Sequence, residues 1–441
     1  MIEQMKPSGI DWIGEIPTDW NIKRVKYLAS LKGRIGWQGL TSDEYIDEGP
    51  FLITGIDFCN GGIDWENCVH ITEERWAEAP EIHIHNGDLL ITKDGTIGKV
   101  AIVDNLTTKA SLNSGVLLIR PQVDYDKKFL FWVLQSDEFW TWFKLKNAGN
   151  STIVHLYQGD FAEFSYTFPK IEEQKAIANY LDAQCSKLDS IISDLEKQID
   201  TLQKHKKSLI TETVTKGLDK SVPMKDSGVE WIGKIPEKWD CKKLKYVISE
   251  ALQYGANEAG DDYREDYPRY IRITDITEEN ELKEEGKLSL DPKTAAPYIL
   301  GDGDILFARS GATVGKTFFY TFDCGMAAFA GYLIRAKINS KMALPKFVYY
   351  STLGIGYENW KNTVFTQATI QNIGADKYAQ FFVTLPTLTE QSNIVEYLDE
   401  KSKSIDDIIK DKHQQLLTIQ QHKKSLIYEY VTGKKRVAEV K

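Results

Sequence analysis

His205-Lys206-Lys207-Ser208-Leu209-Ile210 recurs letter for letter as His422-Lys423-Lys424-Ser425-Leu426-Ile427, 217 positions later. Each copy lies near the end of a long polar segment whose apolar residues recur at alternating spacings of three and four. The first stripe is Leu181, Cys185, Leu188, Ile192, Leu195, Ile199, Leu202, Lys206 and Leu209. Its counterpart is Leu398, Ser402, Ile405, Ile409, Lys412, Leu416, Ile419, Lys423 and Leu426. A stripe this narrow is a coiled-coil seam and not the face of a helix sunk in a globular core. It predicts two long helices, pairing either with a second copy of the chain or with each other.

Working outward, the whole chain is one unit written twice. Lys6-Pro-Ser-Gly-Ile-Asp-Trp-Ile-Gly-Glu-Ile-Pro-Thr-Asp-Trp20 matches Lys225-Asp-Ser-Gly-Val-Glu-Trp-Ile-Gly-Lys-Ile-Pro-Glu-Lys-Trp239. Gly87-Asp88 matches Gly303-Asp304, Leu118-Ile-Arg120 matches Leu333-Ile-Arg335, and Tyr180-Leu-Asp182 matches Tyr397-Leu-Asp399. Thr152-Ile153 and Thr369-Ile370 correspond as well, as do Pro169 and Pro386. The repeat covers about 6–222 and 225–441, too long for a solenoid unit and right for a duplicated domain. Two equivalent helices in one chain can pair internally, which favours an intramolecular, pseudo-two-fold, antiparallel coiled coil.

In each copy the opening box reads as an extended segment anchored by tryptophans, because Pro and Gly interrupt any helix. Strands are predicted over Pro50–Ile56, Asp88–Thr92, Lys99–Val103 and Val116–Arg120. Their counterparts are Tyr270–Ile273, Asp304–Ala308, Lys316–Tyr320 and Tyr332–Arg335. Single amphipathic, aromatic-rich helices are predicted over Phe129–Lys146 and Pro345–Asn362. The fold class is therefore α+β, with two mixed globules of roughly 150 residues joined to the long helices. Thr387 with Glu390, and Glu172-Glu173, favour helix starts, while Gly217 and Gly433 mark the stops. About 44 residues between those limits make a rod of roughly 65 Å.

Bulk properties narrow the function. The composition, with 42% apolar and 27% charged residues, is that of a folded protein. No run of about 18 apolar residues could span a bilayer, and the N-terminus lacks a signal-peptide core. Five scattered cysteines argue against a disulfide framework and fit a reducing, cytoplasmic setting. The net charge of −10 is uneven. Eleven carboxylates against four Lys/Arg lie between Glu258 and Glu285, whereas Lys23-Arg24-Val25-Lys26 and Lys242-Lys243-Leu244-Lys245 are basic. The acidic stretch would repel phosphate and is expected to face away from DNA or towards a partner.

No catalytic signature is present: no phosphate loop, dinucleotide fingerprint, HExxH, GxSxG or paired CxxC. Cys59, Cys68, His70, His83 and His85 have irregular spacing and no counterparts in the second copy, so no metal site is assigned. His83 and His85 would share one face of a strand, as a solvated or contact surface. His155, opposite Asn372, is a weak catalytic base.

What remains is loop chemistry suited to DNA. Gly33-Arg34-Ile-Gly-Trp37-Gln38-Gly39 joins a guanidinium that suits guanine or phosphate, an aromatic ring, and an amide that suits adenine. Its counterpart in the linear alignment is Gln253-Tyr254-Gly-Ala-Asn257. A second pair of loops offers Lys93, Thr96 and Lys99 in one copy and Arg309, Ser310, Thr313 and Lys316 in the other. Glycine-rich hairpin turns with a solvated lysine are common, so no single loop carries the argument. The contrast carries more: boxes and seam helices match closely, while these loops differ at equivalent places.

The paired SGxxWIGxIPxxW boxes, PxxxEQxxIxxYLD helix starts and HKKSLI helix ends resemble the specificity subunit of type I restriction-modification enzymes, across essentially the whole chain. The resemblance implies two target-recognition domains, each reading half of a split, asymmetric double-stranded DNA site. It implies that the helices dock two methyltransferase subunits, which carry S-adenosylmethionine and methylate adenine, and that ATP-dependent restriction subunits join to cleave. This chain would hold no cofactor and perform no catalysis.

The corresponding boundaries are a lead segment 1–18, recognition domain 19–168, helical spacer 169–217, linker 218–236, recognition domain 237–385, spacer 386–433 and basic tail 434–441. Seam or docking residues would be Leu188, Ile192, Leu195, Ile199, Leu202, Lys206, Ile405, Ile409, Leu416, Ile419 and Lys423. Half-sites one helical turn apart, about 34–36 Å, suit a rod of this length. A protein-only coiled-coil adaptor and a DNA-processing enzyme with an unrecognised site are the competing readings.

Overall fold

The computed structural model describes residues 4–34, 40–148, 154–277, 280–311, 313–366 and 372–437. The chain forms two compact units, one made of 1–195 with 414–441 and the other of 196–413. The first long helix, Ile171–Lys216, and the second, Leu388–Val431, each divide between them.

The seam is filled within one chain and runs antiparallel in each unit. In the first unit Tyr180 meets Tyr430 with ring centroids 4.5 Å apart, and Lys423 Nζ reaches both carboxylate oxygens of Asp189 at 2.5 and 2.7 Å. In the second, Lys412 Nζ donates to Gln198 Oε1 at 2.5 Å, and Lys206 Nζ reaches both oxygens of Asp406 at 2.7 and 2.5 Å. The stripe residues of both helices are buried or half-buried, and most residues between them are exposed.

Each globule repeats one architecture. In the first unit an antiparallel sheet has the order Val100–Ile102, Leu89–Thr92, Val116–Pro121, Ala29–Gly33. In the second unit the same order reads Thr317–Phe319, Ile305–Ala308, Leu333–Ala336, Gln253–Tyr254. These central strands are buried on both faces because alternate side chains enter different cores. Leu89, Ile91, Leu117 and Ile119 pack with the helical aromatics Phe129, Trp132, Phe139 and Trp142. Leu90, Val116 and Leu118 pack with Ile53 and Leu112 of a smaller second sheet. That sheet pairs Ile46–Ile53 in parallel with Ala110–Leu112, as Arg269–Ile271 pairs in parallel with Ala327–Phe329.

Three predictions change in detail. The opening boxes are two-stranded hairpins, Met5–Pro7 with Glu15–Pro17 and Met224–Asp226 with Lys234–Pro236. Each aromatic helix is broken in two: Lys127–Gln135 and Asp137–Lys146 part at extended Ser136, whose hydroxyl donates to Val133 O at 2.7 Å. Pro345–Ser351 and Ile355–Thr366 part around Leu353-Gly354. His83 and His85 lie in irregular chain and not on a strand; the His83 ring stacks on Trp76 at 3.6 Å.

The repeated motif letters are the joints between helix and globule. Trp20 Nε1 donates to Glu173 at 2.9 Å, and Trp239 Nε1 to Glu390 at 3.4 Å. Gln174 donates to Pro169 O and accepts from Asp126 N, and Gln391 does the same with Pro386 O and Leu344 N. Asp182 receives Lys128 and Trp132, as Asp399 receives Lys346 and Tyr350. Thr167 and Thr384, both buried, donate to Val431 O and Val214 O near the far end of the other long helix.

Candidate nucleic-acid interface

Strand direction decides which loops share an end of the sheet. Ala29–Gly33 and Leu89–Thr92 run towards that end, whereas Val100–Ile102 and Val116–Pro121 begin there. The hairpin loop 93–99 therefore meets Asn113–Gly115 and the segment after Gly33. Short bonds hold the loop. Lys93 N donates to Gly115 O at 2.8 Å, Leu156 N to Lys93 O at 3.0 Å, and Thr96 Oγ1 to Gly55 O at 3.0 Å. Gly98 has φ +79°, and a Cβ there would lie 2.5 Å from the Trp140 ring, so only glycine lets the loop rest on the helix. On this frame Thr96 and Lys99 are exposed and Lys93 is half-buried.

Arg34 is placed otherwise than a base-reading residue would be. It is 2% exposed, its Nε donates to Leu112 O at 2.8 Å, and its Nη2 donates to Ser111 Oγ at 3.0 Å. Burial, with Arg75 nearby, lowers its pKa from the ordinary guanidinium value. The guanidinium ties the end of strand Ala29–Gly33 to strand Ala110–Leu112. Trp37 and Gln38 lie outside the described residues.

In the second unit the equivalent sheet end gathers Tyr254, Asn257, Arg309, Ser310, Thr313 and Lys316. Arg309 stacks over the Tyr254 ring at 4.9 Å, and Tyr254 Oη accepts from Ala375 N at 3.0 Å. Asn257 and Tyr254 are exposed, and Arg309, Ser310, Thr313 and Lys316 are half-buried. Lys316 Nζ lies 3.5 Å from Ile276 O. Gly315, φ +84°, repeats the role of Gly98: a Cβ there would meet Lys361 Cδ at 2.2 Å. Gln253 is already committed, donating to Pro297 O at 3.0 Å and accepting from Arg335 at 2.5 Å.

Strand register also corrects the linear alignment. Val116 pairs with Thr92 as Leu333 pairs with Ala308, so Leu117 and not Ile119 answers to Ile334; Leu117 faces Gly33, and Ile334 faces Tyr254. Tyr254 is thus the counterpart of Gly33, and Gln253 that of Lys32.

Sequence reasoning passed over several residues at these ends. His155 Nδ1 lies 2.5 Å from Asp94 Oδ1, so the histidine positions an acid beside the loop lysines. Its ring is 5.8 Å from that of Tyr157. Ile56, Tyr157 and Tyr332 are 81, 59 and 63% exposed. An exposed large apolar side chain at a loop tip is invisible in a pattern that reads apolar as core. In the acidic stretch, Arg264, Arg269 and Arg272 pair with Asp266, Glu284 and Asp275, so three of its four cations are consumed locally. Among the described residues no cluster of side chains could hold a metal, and no helix is long and apolar enough to cross a membrane.

A family model described as the type I restriction modification DNA specificity domain matches twice, over residues 17–202 and 236–418. The chain is 25% identical over 438 residues to the type I restriction enzyme MjaVIII specificity subunit of Methanocaldococcus jannaschii, covering 96% of this chain and 94% of that one. It is 21% identical over 448 residues to the EcoKI specificity subunit of Escherichia coli (strain K12), covering 95% and 90%. A solved chain from work on complex assembly and conformational transition of the type I R-M system shares the fold, with a TM-score of 0.68 at 16% identity, over 95% of this chain and 99% of that one.

Proposed function

Because the chain belongs to the type I restriction-modification DNA specificity family, we propose that each globule reads one half of a bipartite, asymmetric DNA site through its sheet-end loops. The chain is a recognition subunit without catalysis of its own. It assembles with modification and restriction subunits, and we assign the chemistry to them: adenine methylation from S-adenosylmethionine on two modification subunits, and ATP-driven translocation on the restriction subunits. The paired helices dock the modification subunits, and the work is done in the cytoplasm, where the DNA and these partners are.

One observation supports this reading above the others. The same sheet end appears in both units on the same joints and keeps Thr96 as Thr313 and Lys99 as Lys316, yet Lys93 and Asp94 in one give way to Arg309 and Ser310 in the other, and Gly33 to Tyr254. A common frame with different donors and acceptors suits two readers of different half-sites. A protein-only adaptor gives no reason for that divergence. Methylome sequencing of a host with and without the gene tests it. A bipartite methylated-adenine motif should vanish on deletion, and an unchanged methylome would remove the proposal.

A further inference from the structure

Not everything kept in both copies serves packing. After the box tryptophan, the short strand Asn21–Arg24 leads into a 3-10 turn, Val25–Tyr27, and Asp240–Lys243 leads into another, Leu244–Tyr246. Each turn buries the apolar residues at its edges, Val25 with Leu28 and Leu244 with Val247. Between them each presents a Lys-Tyr pair to solvent. Tyr27 is 61% exposed and Tyr246 57%, two of the most exposed aromatic rings among the described residues. In each pair the ammonium lies over the neighbouring ring, Lys26 at 5.1 Å and Lys245 at 4.9 Å. Lys23 and Lys243 add positive charge to the same edge, while Arg24 and Lys26 share Glu163 at 3.0 and 2.6 Å and Lys242 lies 3.6 Å from Asp240.

We infer that these turns are a pair of equivalent docking surfaces, each taking an acidic face of one modification subunit. Three observations carry the assignment. First, the pair is identical in both copies although it is exposed, while the sheet-end loops have diverged. A surface kept the same in both halves fits two copies of one partner, not two different half-sites. Second, each turn lies at the sheet end remote from those loops. Strand Ala29–Gly33 starts just after Leu28 and ends at the reading side, and Val247–Ser249 joins Lys337–Asn339 beyond the finish of strand Leu333–Ala336. Third, the chemistry is that of an interface anchor. A rigid exposed tyrosine offers a large area at small entropic loss, and its flanking cations select a carboxylate-bearing face.

The inference rests on the reading of this chain as a recognition subunit, so the test separates the two. Full-length chain is titrated with the modification subunit and the complexes are counted by native mass spectrometry. Tyr27→Ala with Lys26→Ala should weaken one of two binding steps by about ten-fold or more, Tyr246→Ala with Lys245→Ala the other, and the fourfold variant both. Lys26→Glu with Lys245→Glu, which keeps both rings, should give the same loss by charge. Wild-type assembly by the fourfold and charge-reversed variants would overturn the inference alone. So would a loss confined to random-sequence DNA affinity, since the turns would then contact phosphate. Failure of the unsubstituted chain to take up any modification subunit would overturn the underlying reading as well.

Discussion

Arg34 shows how one residue can serve recognition without touching a base. Its guanidinium satisfies Leu112 O and Ser111 Oγ inside the protein. Removing it leaves buried acceptors without donors, at a cost of about 1–3 kcal/mol. Arg34→Ala should therefore lower the unfolding free energy by about that amount, and weaken one half-site only through the loop that follows. A denaturant titration checks this: an unchanged midpoint would mean that the inward bonds do not matter. Glu138 poses a different problem. Its side chain is fully buried, and neither carboxylate oxygen makes a hydrogen bond of good geometry among the described residues, the Thr167 backbone giving only partial compensation. Burial pushes its pKa well above the usual carboxylate value. Unfolded, the group titrates near about 4.3. Above that pH and up to the raised folded value, the folded state holds a proton that the unfolded state releases, so stability falls as pH rises. Glu138→Gln should remove that slope, with a higher melting temperature at about pH 8 and little change at about pH 4. Each kcal/mol gained should appear as about 2–4 °C. Parallel pH profiles for variant and wild type would contradict it. Nothing in the sequence marks Glu138 as buried, because it stands in a helix first turn that reads as solvated, and Tyr166 and Tyr428 come near it only in the fold.

At the scale of elements, the long helices were the most legible part because a seam is a local periodicity. The stripe named the buried positions, and the intrahelical spacing needed no distant information. The partner of each seam lysine was another matter. Lys206 takes Asp406 and Lys423 takes Asp189, and the two acids stand at equivalent places in the repeat. The acids are about half-exposed, so such pairs add little to stability. Their physical use is to fix register, since a slipped seam would leave a half-buried ammonium facing leucine. Replacing Lys206 and Lys423 together by leucine should raise the melting temperature while loosening the spacing of methylated adenines. Unchanged spacing with a higher melting temperature would show that apolar packing alone sets the register. The aromatic helices were less legible. Phe129–Lys146 has a continuous apolar pattern, but the break at Ser136 depends on a hydroxyl bond and on packing that the pattern does not contain.

On the scale of the molecule, the sequence repeat is not the folding unit. The first compact unit needs the chain's last residues. Tyr428 Oη donates to Trp12 O at 3.0 Å, Lys434 Nζ to Glu15 O, and Arg436 grips Glu173 and Asp19. Leu426, Ile427, Tyr430 and Val431 join the core of Leu181 and Cys185. Deleting 414–441 should expose the first unit and spare the second. Hydrogen exchange should rise in 5–33 and 165–195 while strands 305–319 stay protected. Equal loss in both units would mean that they do not fold separately. The sequence by itself determined the duplication, the α+β class, three of the four strands of each main sheet and the seam, because each is written in local periodicity or in literal repetition; Gln253–Tyr254, read as loop, is the fourth strand of its sheet. Only the tertiary structure decided that Arg34 faces inward, that Tyr254 answers to Gly33, and that each unit borrows the far end of the other repeat's helix. Those outcomes depend on strand register and on contacts hundreds of residues apart, which local spacing does not encode.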